Sequence, residues 1–170
     1  MEVYLLRHGE AVPRGTQGYP NDDRPLTEEG AERMAEVAIG ISKILEKVDV
    51  IISSPLIRAL DSAKITAEAL GYNKKIKTTK YLIPGYPQRS LFNFLQEFNN
   101  ENRIMLVGHE PHLGYLASTL LGISEHVIEF KKGGVCRIDI KEFPPLEKGK
   151  LIWLLTPKQL KEIAIQKSIH

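Results

Sequence analysis

The 170-residue sequence contains one cysteine, Cys136, which excludes an intramolecular disulfide and lies in an apolar run typical of a small core residue. No apolar run approaches the ~18 residues of a membrane span, and Glu2 and Arg7 flank a strand-like run rather than a signal peptide. The formal net charge of +2 is too small to indicate a nucleic-acid partner. These absences favour a cytoplasmic enzyme or binding domain that engages neither nucleic acid nor a membrane.

Strands and helices alternate along the sequence without repeats or linkers, which predicts a single domain over residues 1–170. The predicted strands, which are apolar or alternating in pattern, cover 3–6, 49–53, 75–82, 103–108, 135–140 and 150–155. The predicted helices, which carry apolar residues at helical spacing, cover 28–45, 55–71, 90–99, 111–122 and 157–165. This order predicts an α/β fold with a mostly parallel sheet, and the last two strands form a hairpin at its edge.

Arg7 and His8 follow the first predicted strand directly, and Gly9 then frees the backbone to turn. In α/β sheets ligands bind beyond the carboxyl ends of the strands, so we expect this pair at a binding edge. The planar guanidinium of Arg7 matches two phosphate oxygens, and the imidazole of His8 is a good nucleophile near neutral pH. The alternative is a solvated sheet edge, so the pair indicates a phosphate site only if the chain supplies further phosphate-binding groups.

Two such groups occur later in the chain. Arg58 lies in the first turn of the helix after the second predicted strand, where the helix dipole also favours an anion. His109 directly follows the buried strand 103–108, which repeats the pattern of the first strand. A surface arginine and a structural histidine are the alternatives when each residue is taken alone. Together with Arg7 and His8, the two residues predict one shared site at the carboxyl edge of the sheet.

The segment 10–26 is a loop of ~17 residues, which is longer than a usual connection and therefore functional or disordered. Its charged residues are individually weak evidence for a site, since polar loops normally carry them: they are Glu10, Arg14, Asp22, Asp23 and Arg24. The carboxylates lack the spacing of metal ligands, so the sequence predicts neither a metal nor another cofactor.

Four motifs make the sequence resemble the histidine phosphatase superfamily and, within it, the short phosphohistidine phosphatases of the SixA type. The matching stretches are Leu6-Arg-His-Gly-Glu-Ala11, Arg24-Pro-Leu-Thr-Glu-Glu-Gly30, Ser53-Ser-Pro-Leu-Ile-Arg-Ala59 with Ser62-Ala63, and Val107-Gly-His-Glu-Pro-His-Leu113. The resemblance covers nearly the whole chain. It implies a phosphoglycerate mutase-like, three-layer α/β/α sandwich whose central, mostly parallel sheet carries helices on both faces.

The resemblance also implies a role for each matching residue. His8 would be the nucleophile that becomes phosphohistidine, while Arg7, Arg58 and His109 would bind the phosphoryl oxygens and stabilise charge during transfer. Phosphoryl transfer requires mainly positioning and stabilisation of charge on the equatorial oxygens, which three such groups provide without a metal.

One departure from the longer, mutase-like members of the superfamily bears on the substrate. Those members carry an acidic residue after the third strand that protonates the leaving group, whereas this chain reads Tyr81-Leu-Ile-Pro-Gly-Tyr86 there and has no room for their lid insertion. Imidazole protonates readily and needs no such acid, so the departure favours phosphohistidine over a sugar phosphate. Glu10 is an alternative proton donor. Arg14 and Arg24 are candidate substrate contacts, with a solvated loop role as the alternative.

The sequence therefore predicts a metal-independent phosphatase that acts on protein phosphohistidine through a covalent phosphohistidine intermediate. A small-molecule phosphomonoesterase of the same superfamily is the main alternative, and the missing lid disfavours a mutase. A non-catalytic phosphoprotein-binding module is the third hypothesis, although such a module would not need a nucleophile at His8.

Overall fold

The computed structural model of the chain describes residues 1–166. Within this range the strands are β1 (Glu2–Arg7), β2 (Val50–Ser53), β3 (Lys77–Thr78), β4 (Arg103–Gly108), β5 (Val135–Asp139) and β6 (Lys150–Leu155). The α-helices are α1 (Glu28–Ile44), α2 (Ile57–Ala69), α3 (Gln88–Leu95), α4 (His112–Leu120) and α5 (Pro157–Ile165). Short 3-10 helices cover Pro20–Asp22, Lys80–Leu82 and Gln96–Phe98. Among the residues described, no helix combines the length and apolar character needed to cross a bilayer.

The strands form one sheet with the order β3-β2-β4-β1-β5-β6. β3, β2, β4 and β1 run parallel to one another, whereas β5 is antiparallel to β1 and pairs with β6 as an antiparallel hairpin at the sheet edge. The predicted mostly parallel sheet with an edge hairpin is therefore confirmed. β1 and β4 lie side by side in the middle of the sheet, so their carboxyl ends meet.

Helices cover both faces of the sheet, which is why its central strands are apolar throughout. Successive side chains of a strand point to opposite faces. Val3 and Leu5 of β1 accordingly pack in the core formed with α3 and α4, while Tyr4 and Leu6 pack in the core formed with α1, α2 and α5. The three-layer α/β/α sandwich is confirmed, and Cys136 of β5 is buried within it as predicted.

Two helix starts show how local hydrogen bonds set the boundaries. α1 begins as predicted because the Thr27 side chain accepts a hydrogen bond from the Gly30 N–H at 2.9 Å and caps the helix. α2 begins at Ile57, two residues later than predicted, since Leu56 is extended and its N–H donates to the Ser54 hydroxyl at 3.3 Å. The polar turn between β2 and α2 follows the last residue of β2 and so lies at the carboxyl edge of the sheet.

The predicted third strand, 75–82, is wrong for most of its length. Only Lys77–Thr78 pairs with β2. The chain then turns into the 3-10 helix Lys80–Leu82, whose N-cap Thr79 accepts a hydrogen bond from the Tyr81 N–H at 3.4 Å. The turn buries Leu82 completely, so apolar residues that suit a strand are used here to cover the end of the sheet.

The predicted helix 90–99 begins and ends earlier than expected. α3 begins at Gln88 after an extended Pro87, and the residues that follow α3 form the 3-10 helix Gln96–Phe98. Leu91 and Leu95 are nevertheless fully buried, so the amphipathic pattern is correct although the boundaries are shifted.

Candidate active site

Two histidines meet at the carboxyl ends of the central strands. Arg7 of β1 is the register partner of Gly108 of β4, so His8 and His109 follow at the same level of the sheet. The backbone N–H of His8 donates to the Gly108 carbonyl at 3.1 Å. The two imidazole centroids lie 4.9 Å apart, with ring planes inclined by 58°. The repeated pattern of a strand that ends in histidine thus places both rings in one cleft.

His8 carries an unprotonated ring nitrogen. Its Nδ1 lies 2.6 Å from the carbonyl oxygen of Gly9, which can only accept, so Nδ1 holds the ring proton and Nε2 keeps a lone pair. The pKa of His8 is lowered to about 4, chiefly by burial; the charges of Arg58 and Arg7 also lower it, whereas the hydrogen bond to Gly9 opposes the shift. A neutral imidazole with a free Nε2 is the form that attacks an electrophile.

A single hydroxyl group joins the turn after His8 to α2. The backbone N–H of Gly9 donates to Ser62 Oγ at 3.0 Å, and Ser62 Oγ donates to the carbonyl of Arg58 at 2.7 Å. Ser62 is fully buried, so neither bond competes with solvent. The turn after His8 and the helix that carries Arg58 are thereby held at a fixed separation.

Arg7 is held by the backbone of a distant loop. Its Nη1 donates to the Phe130 carbonyl at 2.5 Å, and the Phe130 N–H in turn donates to Glu110 Oε1 at 2.6 Å. The second carboxylate oxygen of Glu110 accepts from the Gly114 N–H in α4 at 3.3 Å. Within residues 1–166, the buried Nε of Arg7 has no hydrogen-bond partner.

Arg58 is 4% exposed and is bound by an acidic residue of the loop before α1. Its Nη1 donates to the main-chain carbonyl of Asp22 at 3.0 Å, and its Nη2 donates to Asp22 Oδ2 at 2.9 Å. Arg24 donates to the other carboxylate oxygen of Asp22 through Nε at 2.8 Å. Burial alone would raise the pKa of Asp22, but the hydrogen bonds from Arg24 and Arg58 outweigh it and lower that pKa.

His109 is held by the turn between β2 and α2. Its Nε2 lies 2.8 Å from Ser54 Oγ, and the residue is 2% exposed. Burial lowers the pKa of His109, and the neighbouring His8 and Arg58 lower it further. In the part of the chain that the structure describes, its buried Nδ1 has no hydrogen-bond partner.

These side chains surround a cleft of about 410 Å³. Its lining includes each of the predicted catalytic and substrate-binding residues, namely Arg7, His8, Arg14, Arg24, Arg58 and His109. Arg14 is exposed at the mouth, whereas Arg24 is half-buried and engaged by Asp22 and by the Val12 carbonyl. The structure therefore brings together the residues that the sequence assigned to one site.

Glu10, the predicted alternative proton donor, lies outside this cleft. Its carboxylate contacts Arg33 at 3.3 Å and Lys132 at 3.4 Å. It lines a separate, mostly apolar groove of about 530 Å³ between α1 and α5. That groove is larger than the cleft, but the paired histidines, Arg7 and the buried Arg58 belong to the cleft.

Sequence reasoning gave no site role to several residues that shape the cleft. The sequence marks Asp22 only as a loop residue and gives Lys132 no role, while Glu110, Ser54 and Ser62 appear only inside the matched motifs. The positions of Ser54 and Ser62 inside a matched motif were a usable signal. No periodic pattern marks Asp22, whose placement depends on an irregular loop. In residues 1–166, no cluster of three or more His, Cys, Asp or Glu side chains could hold a metal ion.

The geometry suits transfer of a phosphoryl group. A neutral imidazole nitrogen can act as a nucleophile, and the guanidinium groups and the second imidazole beside it can bind the equatorial oxygens of a phosphoryl group. Buried N–H donors aimed at developing charge stabilise a transition state more strongly than donors in water.

Comparisons with known proteins agree with this chemistry. The family model of the histidine phosphatase superfamily (branch 1) matches residues 3–83, which include Arg7, His8 and Arg58. An uncharacterised protein of Picosynechococcus sp. is 35% identical over 144 residues, which cover 79% of this chain and 82% of that protein. A protein of Yersinia pestis named "Probable phosphoglycerate mutase GpmB" is 28% identical over 199 aligned positions, covering 89% of this chain and 91% of the mutase.

Among solved structures, the protein histidine phosphatase SixA complexed with tungstate superposes with a TM-score of 0.81. The superposition covers 94% of this chain and 99% of that chain at 22% sequence identity, and it shows that the two share the phosphoglycerate mutase-like fold. Together, the family model, the sequence relatives and the fold show that this chain belongs to the histidine phosphatase superfamily.

Proposed function

We propose that the protein is a metal-independent phosphatase that transfers a phosphoryl group from protein phosphohistidine to His8 and then to water. The observation that carries this proposal is the unprotonated Nε2 of His8 beside Arg7, Arg58 and His109 in one cleft. Nucleophile and anion-binding groups in one place are the requirement of covalent phosphoryl transfer.

Neither step of this reaction needs a proton from the protein. In the first, Nε2 of His8 bonds to phosphorus while the bond from phosphorus to the substrate imidazole breaks. The substrate imidazole carries a proton on its other nitrogen and leaves as a neutral ring. In the second, water bonds to phosphorus, the bond to Nε2 breaks, and both protons of the water leave with the phosphate. Nδ1 of His8 keeps its proton throughout through its hydrogen bond to Gly9.

Three buried nitrogen atoms support the assignment of the phosphoryl-binding side chains. The Nε atoms of Arg7 and Arg58 and the Nδ1 atom of His109 are buried and have no partner within residues 1–166. A buried polar group without a partner is costly, so a polar ligand that reached these nitrogens would relieve that cost. Phosphoryl oxygens are acceptors, so they suit the two guanidinium N–H groups, and they suit Nδ1 of His109 when that atom carries the ring proton.

The carboxylates near the cleft favour a leaving group that needs no general acid. Hydrogen bonds from two arginines keep Asp22 ionised, and both oxygens of Glu110 accept backbone N–H groups. Glu10 faces the neighbouring groove. An alkoxide leaving group would need a proton from one of these residues, whereas imidazole would not.

The comparisons support a phosphohistidine substrate over a mutase reaction. SixA, which shares the fold over nearly the full length of both chains, is named a protein histidine phosphatase. The alignment with the mutase extends over 199 positions, more than the 170 residues of this chain, so the mutase carries insertions that this chain lacks.

A small-molecule phosphomonoesterase is the second candidate. Beyond Asp22 lies a further cavity of about 350 Å³, lined by residues that include Arg14, Tyr19 and Arg24. This cavity could hold the remainder of a phosphorylated metabolite. Turnover of such an ester would require a proton donor outside the carboxylates described above.

The test compares purified wild type with His8→Asn in the presence of a chelator. The substrates are a phosphohistidine-bearing protein and a panel of phosphate monoesters at one pH. We expect phosphate release from phosphohistidine, at least 10³-fold slower in the variant, and a wild-type phosphoenzyme that survives alkali and decays in acid. His112→Asn is the matched control, because His112 is buried at the start of α4 but does not line the cleft.

Each other result has a defined meaning. Faster release from a monoester would assign the protein to the phosphomonoesterases. Phosphate binding without turnover of any substrate would indicate a phosphoprotein-binding module. Loss of activity with chelator, restored by a divalent cation, would contradict metal independence.

A further inference from the structure

The buried arginine of the cleft is already occupied by an anion from the protein itself. Asp22 binds both Nη atoms of Arg58, one through its main-chain carbonyl and one through its carboxylate. It therefore takes two of the five N–H donors of that guanidinium. The pair is close, at 2.9 Å between Nη2 and Oδ2, and the Arg58 side chain is only 5% exposed.

Asp22 reaches this position through an unusual backbone conformation. Its φ angle is +64°, the only positive φ of a residue other than glycine within the described part of the chain. This left-handed conformation is uncommon for a residue with a Cβ. It lets the carbonyl and the carboxylate of one residue bind the same guanidinium. Arg24, which donates to Oδ1 of Asp22 at 2.8 Å, holds the carboxylate from the other side.

A carboxylate on a phosphate-binding arginine opposes a phosphoryl group in two ways. Both anions use the N–H donors of Arg58, and their negative charges repel each other across a shared cleft. Asp22 lines the same cleft as Arg7, His8 and His109. The hydrogen bonds that lower its pKa keep it charged at neutral pH.

We propose that Asp22 sets the phosphate affinity of the cleft, because its carboxylate occupies Arg58 in the free protein and gives way to phosphoryl oxygens when they bind. This inference rests on the proposed function, because it takes the cleft to be a binding site for phosphoryl groups. It implies that Asp22 weakens the binding of the product, inorganic phosphate, and so favours its release after each turnover.

A different role would have the opposite effect on binding. If Asp22 only fixed the orientation of Arg58, its removal would leave the arginine misplaced, and phosphate would bind more weakly. The unpartnered Nε of Arg58 could then be the donor for phosphate while Asp22 stayed in place. The sign of the change in affinity therefore separates an affinity-setting residue from a purely positioning one.

The test is calorimetric titration of inorganic phosphate into the wild-type protein, Asp22→Asn and Asp23→Asn. Asparagine keeps the shape of the side chain and removes its charge. We expect the Kd for phosphate to fall about 10-fold or more in Asp22→Asn, the scale of one charge-assisted hydrogen bond. Asp23→Asn is the matched control, since Asp23 is the exposed neighbour and its charge is screened by solvent. We expect a change below about 2-fold there.

Two further variants keep the result interpretable. Asp22→Glu restores the charge and should return the Kd towards that of the wild type, whereas Asp22→Ala should bind phosphate more tightly even if the asparagine variant folds poorly. Unchanged or weaker phosphate binding in both uncharged variants would overturn the inference. Phosphate binding is measured without turnover. Tighter phosphate binding in a protein that hydrolyses no substrate would therefore support the affinity-setting role of Asp22 and refute the proposed phosphatase function. Absence of phosphate binding in every protein would refute both.

Discussion

The imidazole rings of His8 and His109 lie with their centroids 4.9 Å apart because the two residues follow paired positions of adjacent parallel strands. The pKa of each ring is lowered, chiefly by burial, so both rings are neutral in the free protein. The positive charge of the cleft therefore comes from its arginines and from Lys132. A phosphoryl group that binds between the rings would favour their protonation, since an adjacent negative charge raises the pKa of imidazole.

Burial of His8 makes the stability of the free protein depend on pH. The pKa of His8 is about 4 in the folded chain against 6.5 for an unperturbed histidine, so between these values the unfolded chain binds a proton that the folded chain does not. The free energy of unfolding therefore falls as the pH decreases, and His8 contributes about 2 kcal/mol of the loss between pH 7 and pH 5. Urea unfolding at pH 7 and pH 5 should show that the free energy of unfolding falls by about 2 kcal/mol less in His8→Asn than in the wild type. Equal losses in the two proteins would contradict the low pKa.

Ser54 is expected to set the tautomer of His109. If its hydroxyl donates to Nε2, which lies 2.8 Å away, the ring proton stays on Nδ1 and can be donated to a phosphoryl oxygen. Removal of one such hydrogen bond costs about 1 kcal/mol, so Ser54→Ala should lower kcat/KM by roughly 5- to 10-fold and shift the acid limb of the pH–rate profile. Ser53→Ala, which removes a buried hydroxyl that donates to the Ser54 carbonyl, should leave that limb in place. Identical profiles in both variants would exclude the tautomer role.

Glu110 is expected to position Arg7 through a peptide group. It accepts the Phe130 N–H, and the carbonyl of the same residue accepts from Arg7 Nη1. Glu110→Ala should free this loop and weaken phosphate binding by about 10-fold, since it removes a charged acceptor of a buried N–H. Glu129→Ala removes an exposed carboxylate from the same loop and should leave the Kd unchanged. Equal phosphate affinities in Glu110→Ala and wild type, measured by calorimetry, would show that Arg7 is held by other contacts.

Close packing of α5 on α1 depends on Gly40. A Cβ at this position would lie 2.0 Å from the carbonyl oxygen of Leu160, which is a backbone atom that cannot rotate away. Gly40→Ala should therefore displace α5 and lower the free energy of unfolding by about 1–3 kcal/mol. Urea unfolding checks this value, with Ile39→Ala as the control because Ile39 is exposed on the same helix. A change below about 0.5 kcal/mol in Gly40→Ala would mean that the helices can separate at little cost.

The parts of the site that could be predicted from sequence are those fixed by the regular sheet. Arg7, His8 and His109 follow apolar strands, and parallel strands bring such positions to one edge. Arg58 could also be predicted as a site residue, because it lies in the first turn of the helix that follows β2. Asp22 could not be placed, since its position depends on a left-handed backbone in a long loop.

The contrast between regular pattern and local side-chain contacts also explains which predicted element boundaries were wrong. β4, β6 and α5 have the predicted boundaries because apolar pattern and turn residues agree there. The stretch 75–82 was expected as a strand because of its threonines and apolar residues, but the Thr79 side chain caps a 3-10 turn instead. A side chain that bonds its own backbone can end a strand without any change in hydrophobic pattern.

The pairing of β1 with β4 limits how this chain can diverge. A one-residue insertion or deletion within either strand would move a histidine by about 3.3 Å along the sheet and turn it to the opposite face. Exchange of one buried apolar residue for another would leave both rings in place. We therefore expect the lengths of these two strands to persist through evolution long after their sequences have changed, while insertions accumulate in the loops beyond them.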